Sequence, residues 1–244
     1  MRKLVKMKKG ERYMTKQQEL ANKLGIRFKD ENLLTQALVH RSYLNEHSNW
    51  PTGHNERLEF LGDAVLELAV TKYLFLHYPD KPEGELTDWR AALVNAKTLA
   101  QIAQEIELDK YLFLSRGEAK EKDSKGHQYI LADAMEALLG AIYLDQGWAV
   151  AQRIINKLVL SKLDYIIKNK LYLDPKSYFQ ERAQEVYGST PHYELLASSG
   201  PDHEKLFEVG LYVDNRLVSV GHGMSKQEAQ VDAAEKGLKQ EGWR

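Results

Sequence analysis

His54-Asn55-Glu56-Arg57-Leu58-Glu59-Phe60-Leu61-Gly62-Asp63-Ala64-Val65-Leu66 places three carboxylates, Glu56, Glu59 and Asp63, at i, i+3 and i+7. At roughly 100° per residue these offsets fall within about 60° of one another, so a helix carries all three acids on one stripe. Phe60 and Leu66 flank that stripe while Leu58, Leu61, Val65 and Leu68 fill the opposite face. A helix apolar nearly all round is expected to be buried, and a solvated acidic face, the ordinary explanation of such a stripe, fits poorly here. Desolvation and like-charge crowding both oppose ionisation unless cations or donors compensate. The one basic residue inside the run, Arg57, points about 100° away from Glu56, which leaves a metal ion as the economical counter-charge.

A second run of the same kind follows. From Ile130 to Leu144 the only charged residues are Asp133 and Glu136, at i and i+3 in an otherwise apolar helix. With Glu59 and Asp63 they would form a four-carboxylate cluster if the two helices pack side by side. Gly62, Ala64, Ala137, Gly140 and Ala141 are small enough to permit that approach.

The chain has 244 residues and no cysteine, which excludes disulfides and thiolate metal sites. No apolar run approaches the roughly 18 residues of a transmembrane helix, and the N-terminal lysines are not followed by an apolar h-region. The expectation is therefore a cytosolic protein without a membrane partner. The net charge of -1 hides an uneven distribution, with +6 over residues 1–16, -3 over 17–173 and -4 over 174–244. The basic 1–16 stretch reads as an arm that is either solvated or an electrostatic aid to nucleic-acid binding. Neither larger segment is basic, so local patches would have to hold a polyanion.

Apolar spacing predicts short helices over Leu20 to Leu24 and Leu33 to Leu44, separated by a turn at Gly25 to Asp30. It also predicts the acidic helix running until Pro79, another helix over Thr87 to Ala103, and a charged loop from Ser115 to Gln128. After a polar boundary at Lys168 to Pro175 the pattern changes. Ser177 to Val186 reads as a helix, and His192 to Ala197, Leu206 to Val213 and Leu217 to Val220 read as strands with a hairpin turn at Asp214-Asn215. Ser225 with Glu228 forms a capping-box pattern opening a last helix, with Ala229, Ala233, Ala234 and Leu238 on its inner side. The C-terminal order is thus α-β-β-β-α.

Together, His54 to Leu66 and Leu131 to Ala141 resemble the two central motifs of bacterial ribonuclease III, and the likeness runs from about Leu20 to Leu238. The C-terminal half resembles a double-stranded-RNA-binding domain, with Gly200-Pro201-Asp202-His203 in its first inter-strand loop. The resemblance implies a dimeric all-α endonuclease domain over residues 17–168, a short linker over 169–175 and an α+β RNA-binding domain over 176–244. It implies that Glu59, Asp133 and Glu136 ligate magnesium, that Asp63 and Glu136 are catalytic, and that Glu56 is an accessory acid. The implied activity is cleavage of double-stranded RNA to 5'-phosphate and 3'-hydroxyl ends with short 3' overhangs, in the processing of ribosomal RNA precursors and other structured transcripts.

Independent chemistry agrees. Phosphodiester hydrolysis calls for an activated water and positive charge on the phosphoryl oxygens, which two divalent ions about 3.5–4 Å apart supply. Carboxylates suit magnesium, with manganese as a substitute. An A-form duplex is read through 2'-hydroxyls and phosphates rather than bases. Gln180 and Gln184, at i and i+4, and His203 are candidate minor-groove contacts, and Lys226 is a candidate phosphate contact in the positive first turn of its helix. Gln227 stands where the resembled family usually has a second lysine. Two rival classes compare less well: a di-iron carboxylate bundle needs Glu-x-x-His pairs, which Glu56 and Glu136 do not begin; a purely RNA-binding protein would leave the buried acids without a purpose.

Overall fold

The structure, a computed structural model, describes residues 15–121, 124–201 and 205–244. His203 and nearly all of the basic stretch 1–16 lie outside the described residues. The chain divides into two compact units, with the boundary between Ile166 and Ile167.

The N-terminal unit is helical. Its elements are α1 (Lys16–Leu24), α2 (Glu31–Ala37), α3 (Arg41–Glu46), α4 (Glu56–His77), α5 (Glu83–Val94), α6 (Ala96–Glu105), α7 (Lys125–Gln146) and α8 (Trp148–Leu158), with α9 (Leu163–Lys168) running across the boundary. The acid-bearing helices α4 and α7 form its centre. Leu58, Val65, Leu66, Ala69, Val70 and Leu74 of α4 are buried, as is nearly every apolar side chain of α7 from Ile130 to Ile142.

Glycine sets how closely α4 and α7 approach. A Cβ on Gly62 would run into the backbone carbonyl of Glu136, and one on Gly140 into the carbonyl of Leu58. No side chain other than hydrogen fits at either crossing point.

Three expectations are corrected. The helix expected over Leu33 to Leu44 is two helices, because Val39 forms a β-bridge with Phe113: Phe113 N donates to Leu38 O at 2.8 Å and His40 N to Phe113 O at 3.1 Å. The helix expected over Thr87 to Ala103 breaks at Asn95, whose backbone is extended and whose side chain caps α6 by accepting from Thr98 N at 2.9 Å. The loop expected from Ser115 to Gln128 ends early, since Ser124 caps α7 by accepting from His127 N at 3.0 Å.

α4 departs from expectation in a fourth way. It is not buried all round: Phe60 is 81% exposed, Leu68 58% and Phe75 71%. One apolar stripe enters the core and another lies open.

The C-terminal unit is α10 (Pro175–Tyr187), β1 (His192–Ser199), β2 (Leu206–Val213), β3 (Arg216–Gly223) and α11 (Lys226–Gln240). The strands form an antiparallel sheet in the order β1-β2-β3. Val213 pairs with Arg216 across the Asp214-Asn215 turn, where Asp214 takes a left-handed φ of 52°. Both helices share a core with the sheet, built on Phe179, Ala183, Leu211, Ala233, Ala234 and Leu238. Ser225 caps α11 through Glu228 N at 3.1 Å, as the sequence pattern requires, while Glu228 accepts from Met224 N at 3.1 Å, one residue outside the cap.

Gly140→Ala should lower the stability of the N-terminal unit by about 3 kcal/mol, the upper end for overpacking, although alanine is the better helix former. Urea unfolding of the full chain measures this. A transition at wild-type denaturant concentration would mean that α4 and α7 are free to move apart.

Candidate metal centre and nucleic-acid surface

Asn55 fixes where α4 begins. It is 2% exposed, and its backbone N–H donates to Val39 O at 2.9 Å, which ties the start of α4 to the Val39–Phe113 bridge. From there the helical rise carries Glu56, Glu59 and Asp63 up one side, while the glycine crossing brings the Asp133–Glu136 turn of α7 alongside. Glu59, Asp133 and Glu136 can each offer a carboxylate oxygen so that all three lie within 4.8 Å of one another. All three are half-buried, whereas Glu56 and Asp63 are exposed.

Electrostatics at this cluster are adverse without a cation. Burial, and then the neighbouring Asp63, Asp133, Glu59 and Glu67, push the Glu136 carboxyl up to about 8. Burial followed by Asp133, Glu56 and Asp63 raises Glu59, and burial followed by Glu56 raises Asp133. Among the described residues no hydrogen-bond donor reaches these three carboxylates. Glu56 differs, with the Arg41 guanidinium at 3.6 Å and His54 Nδ1 at 3.8 Å.

Asp145, on the same helix α7, is an internal comparison. It is more deeply buried, at 9% exposure, yet it accepts from Lys29 N at 2.9 Å and Asp30 N at 2.8 Å. Burial opposes its ionisation, but these backbone donors outweigh burial and hold it below the usual carboxylate range. A structural carboxylate in this protein has its own donors; the Glu59, Asp133 and Glu136 set has oxygen ligands converging on a common point and none. That donor set fits a hard divalent cation.

Of the four carboxylates expected to cluster, Glu59, Asp133 and Glu136 come within 4.8 Å of one another, while Asp63 lies exposed beside them. Three side chains acting on the cluster were missed: Glu67, one helical turn past Asp63 on the same stripe, and Arg41 and His54, which meet Glu56. Glu67 was legible as the i+11 member of the spacing. Arg41 was not, since its approach depends on the break between α2 and α3.

In the C-terminal unit Gln180 and Gln184 are exposed on one face of α10, and Lys226 and Gln227 are exposed at the start of α11. Gln180 and Gln227 line a common recess.

Comparison with known proteins places this arrangement. Residues 30–163 match the family model described as ribonuclease-III-like, and residues 175–241 match the double-stranded RNA binding motif. Ribonuclease 3 of Nitratiruptor sp. is 42% identical over 226 residues, covering 93% of this chain and 97% of that protein. Ribonuclease 3 of Natranaerobius thermophilus is 45% identical, covering 88% of this chain and 92% of the other. The crystal structure of the nuclease domain of Campylobacter jejuni ribonuclease III superimposes with a TM-score of 0.52 at 39% identity, covering 61% of this chain and 97% of that one. A further structure of that domain, at 40% identity, TM-score 0.51 and coverage of 59% of this chain and 95% of that one, concerns structural flexibility in a region involved in dimer formation. With both motifs in order and relatives of this similarity matched over nearly their whole length, the chain belongs to the ribonuclease III family.

Proposed function

We propose that this double-stranded-RNA endonuclease cuts the phosphodiester backbone at the α4–α7 carboxylate cluster by a two-metal-ion mechanism, using magnesium, for which manganese substitutes. The observation that carries the reading is the convergence of Glu59, Asp133 and Glu136 within 4.8 Å without donors of their own. These three residues hold the metal. Divalent ions there would supply positive charge on the phosphoryl oxygens and a water ionised near neutral pH.

The remaining steps belong to the chain. Asp63, exposed at the mouth of the cluster, orients the attacking water and accepts its proton on a carboxylate oxygen, with Glu136 as the second catalytic carboxylate. Glu56, held near Arg41 and His54, is an accessory acid that adds negative charge without joining the buried set. The water attacks phosphorus in line with the 3' oxygen; the new P–O bond forms as the bond to the 3' oxygen breaks, and that oxygen takes a proton from solvent water, leaving 5'-phosphate and 3'-hydroxyl ends.

Substrate capture falls to the C-terminal unit. Gln180 and Gln184 face the minor groove, Lys226 a phosphate, and His203, outside the described residues, the loop contact. Two copies of the nuclease unit cut opposite strands and leave short 3' overhangs. The open apolar stripe of α4, with Phe60 exposed one residue from Glu59, is the surface that supports a homodimer beside the two sites. The nuclease unit spans residues 17–168, the linker 169–175 and the RNA-binding unit 176–244. The substrates are ribosomal RNA precursors and other structured transcripts in the cytoplasm.

Glu136→Gln should lower duplex-RNA cleavage by more than about 10²-fold, the loss typical when one transition-state stabiliser is removed, with duplex binding and the unfolding profile near wild type. Normal turnover in magnesium would contradict the ligand assignment. A fragment beginning at Ile167 should bind duplex RNA and never cut it, and a chain ending at Ile166 should cut only at low salt, where residual attraction holds the substrate. Cleavage by the C-terminal fragment would reverse the division of labour.

A further inference from the structure

A recess of about 310 Å³ lies between the start of α10 and the first turns of α11, lined among others by Lys176, Ser177, Gln180, Tyr193 and Gln227. Lys176 Nζ donates to Gln230 Oε1 at 2.6 Å and stands 5.1 Å from the centroid of the Tyr193 ring. A long flexible side chain is thus held in place by one contact from α11 and one from β1. Asp174 also borders the recess, but it is the N-cap of α10 and accepts from Ser177 N at 2.8 Å.

The placement is electrostatically unusual. Lys176 occupies the first turn of α10, which holds no acidic residue beyond the N-cap Asp174 and where the backbone partial charge is already positive, so the macrodipole opposes a cation there. An anion arriving at the recess reverses that sign through the ammonium itself, since the Asp174 cap already takes Ser177 N. On the α11 side the recess is lined by Gln227 and Val231, and these and Gln230, the partner of Lys176, are all uncharged. Gln180, a proposed minor-groove contact, lies one turn further along α10 and borders the same space.

We propose that Lys176 is a phosphate-contacting residue of the duplex-RNA surface, supplying from α10 the positive charge that Gln227 does not supply from α11. This rests on the reading of α10 and α11 as the duplex-binding face. Gln230 and Tyr193 are its positioning residues: by fixing the ammonium before RNA arrives they reduce the ordering cost that a free lysine would add to binding. Counterion release then makes Lys176 visible in the salt dependence, with each neutralised phosphate contributing about 0.7–0.9 to the magnitude of the log–log slope.

The test is titration of the full chain with a duplex RNA in the absence of divalent cations, which prevents cleavage, over about 50–200 mM KCl. Lys176→Gln should weaken binding and flatten the slope by about 0.7–0.9, so that its deficit relative to wild type shrinks about threefold across that range. Adding Gln227→Lys to Lys176→Gln should restore the slope, because the charge returns to the same recess. Lys226→Gln serves as the control for the face itself: if it changes neither affinity nor slope, the duplex-binding face is misassigned. If Lys226→Gln flattens the slope while Lys176→Gln leaves affinity and slope at wild-type values, the face stands and Lys176 is not part of it. Weaker binding with parallel slopes also overturns the proposal, since it would confine Lys176 to packing α10 against α11.

Discussion

The backbone-to-backbone approach of α4 and α7 at Gly62 and Gly140 is the constraint on which the N-terminal unit depends. Helices with side chains at the crossing sit about 8–10 Å apart. Here the carbonyls of Leu58 and Glu136 occupy the space a Cβ would need. Acids flanking the crossing are thereby forced together: Glu59 and Glu136 lie about one turn from Gly62 and Gly140, Asp63 is next to Gly62, and Asp133 is one turn beyond Glu136. The apolar packing that stabilises the unit and the acid cluster that strains it come from the same contact.

Such clustering opposes folding in the absence of a cation. Glu136, raised to about 8, is ionised in the unfolded chain at neutral pH but prefers its proton in the metal-free native state. Stability from this group is therefore greatest below the ordinary glutamate range and falls as pH rises from about 4.5 towards 8. Asp145 on the same helix follows the opposite rule, being held low by the backbone N–H groups of Lys29 and Asp30; it adds stability above the ordinary aspartate range and loses it on acidification. The two environments on α7 thus separate a carboxylate with backbone donors of its own from the clustered ones, which burial and their acidic neighbours raise.

Much of this was legible in the residues. Isolated acids in apolar helical runs pointed to the cluster, small residues pointed to the close approach, and the α-β-β-β-α order of the C-terminal unit followed from alternation, turn chemistry and the Ser225 cap. What could not be read were features set by tertiary backbone contacts. The Phe113 pairing that splits α2 from α3 leaves no periodic trace, and Arg41 meets Glu56 only because of that split. The open face of α4 was misread for a related reason: apolarity all round indicates coverage but not by what, and Phe60 and Phe75 are bare within a single chain. Lys176 escaped notice because its partners, Gln230 and Tyr193, come from elements remote in sequence.

The central claim is that the α4–α7 crossing gathers Glu59, Asp133 and Glu136 into a set that a divalent cation completes, displacing protons that burial and crowding favour there. Calorimetric titration of the full chain with magnesium, at about pH 7 in two buffers of different ionisation enthalpy, measures the protons released on binding. The account predicts net proton release on binding, fading as pH rises above the neutral range and reduced in Glu136→Gln. Magnesium binding with no proton release at pH 7, and with affinity unchanged across the neutral range, would contradict it.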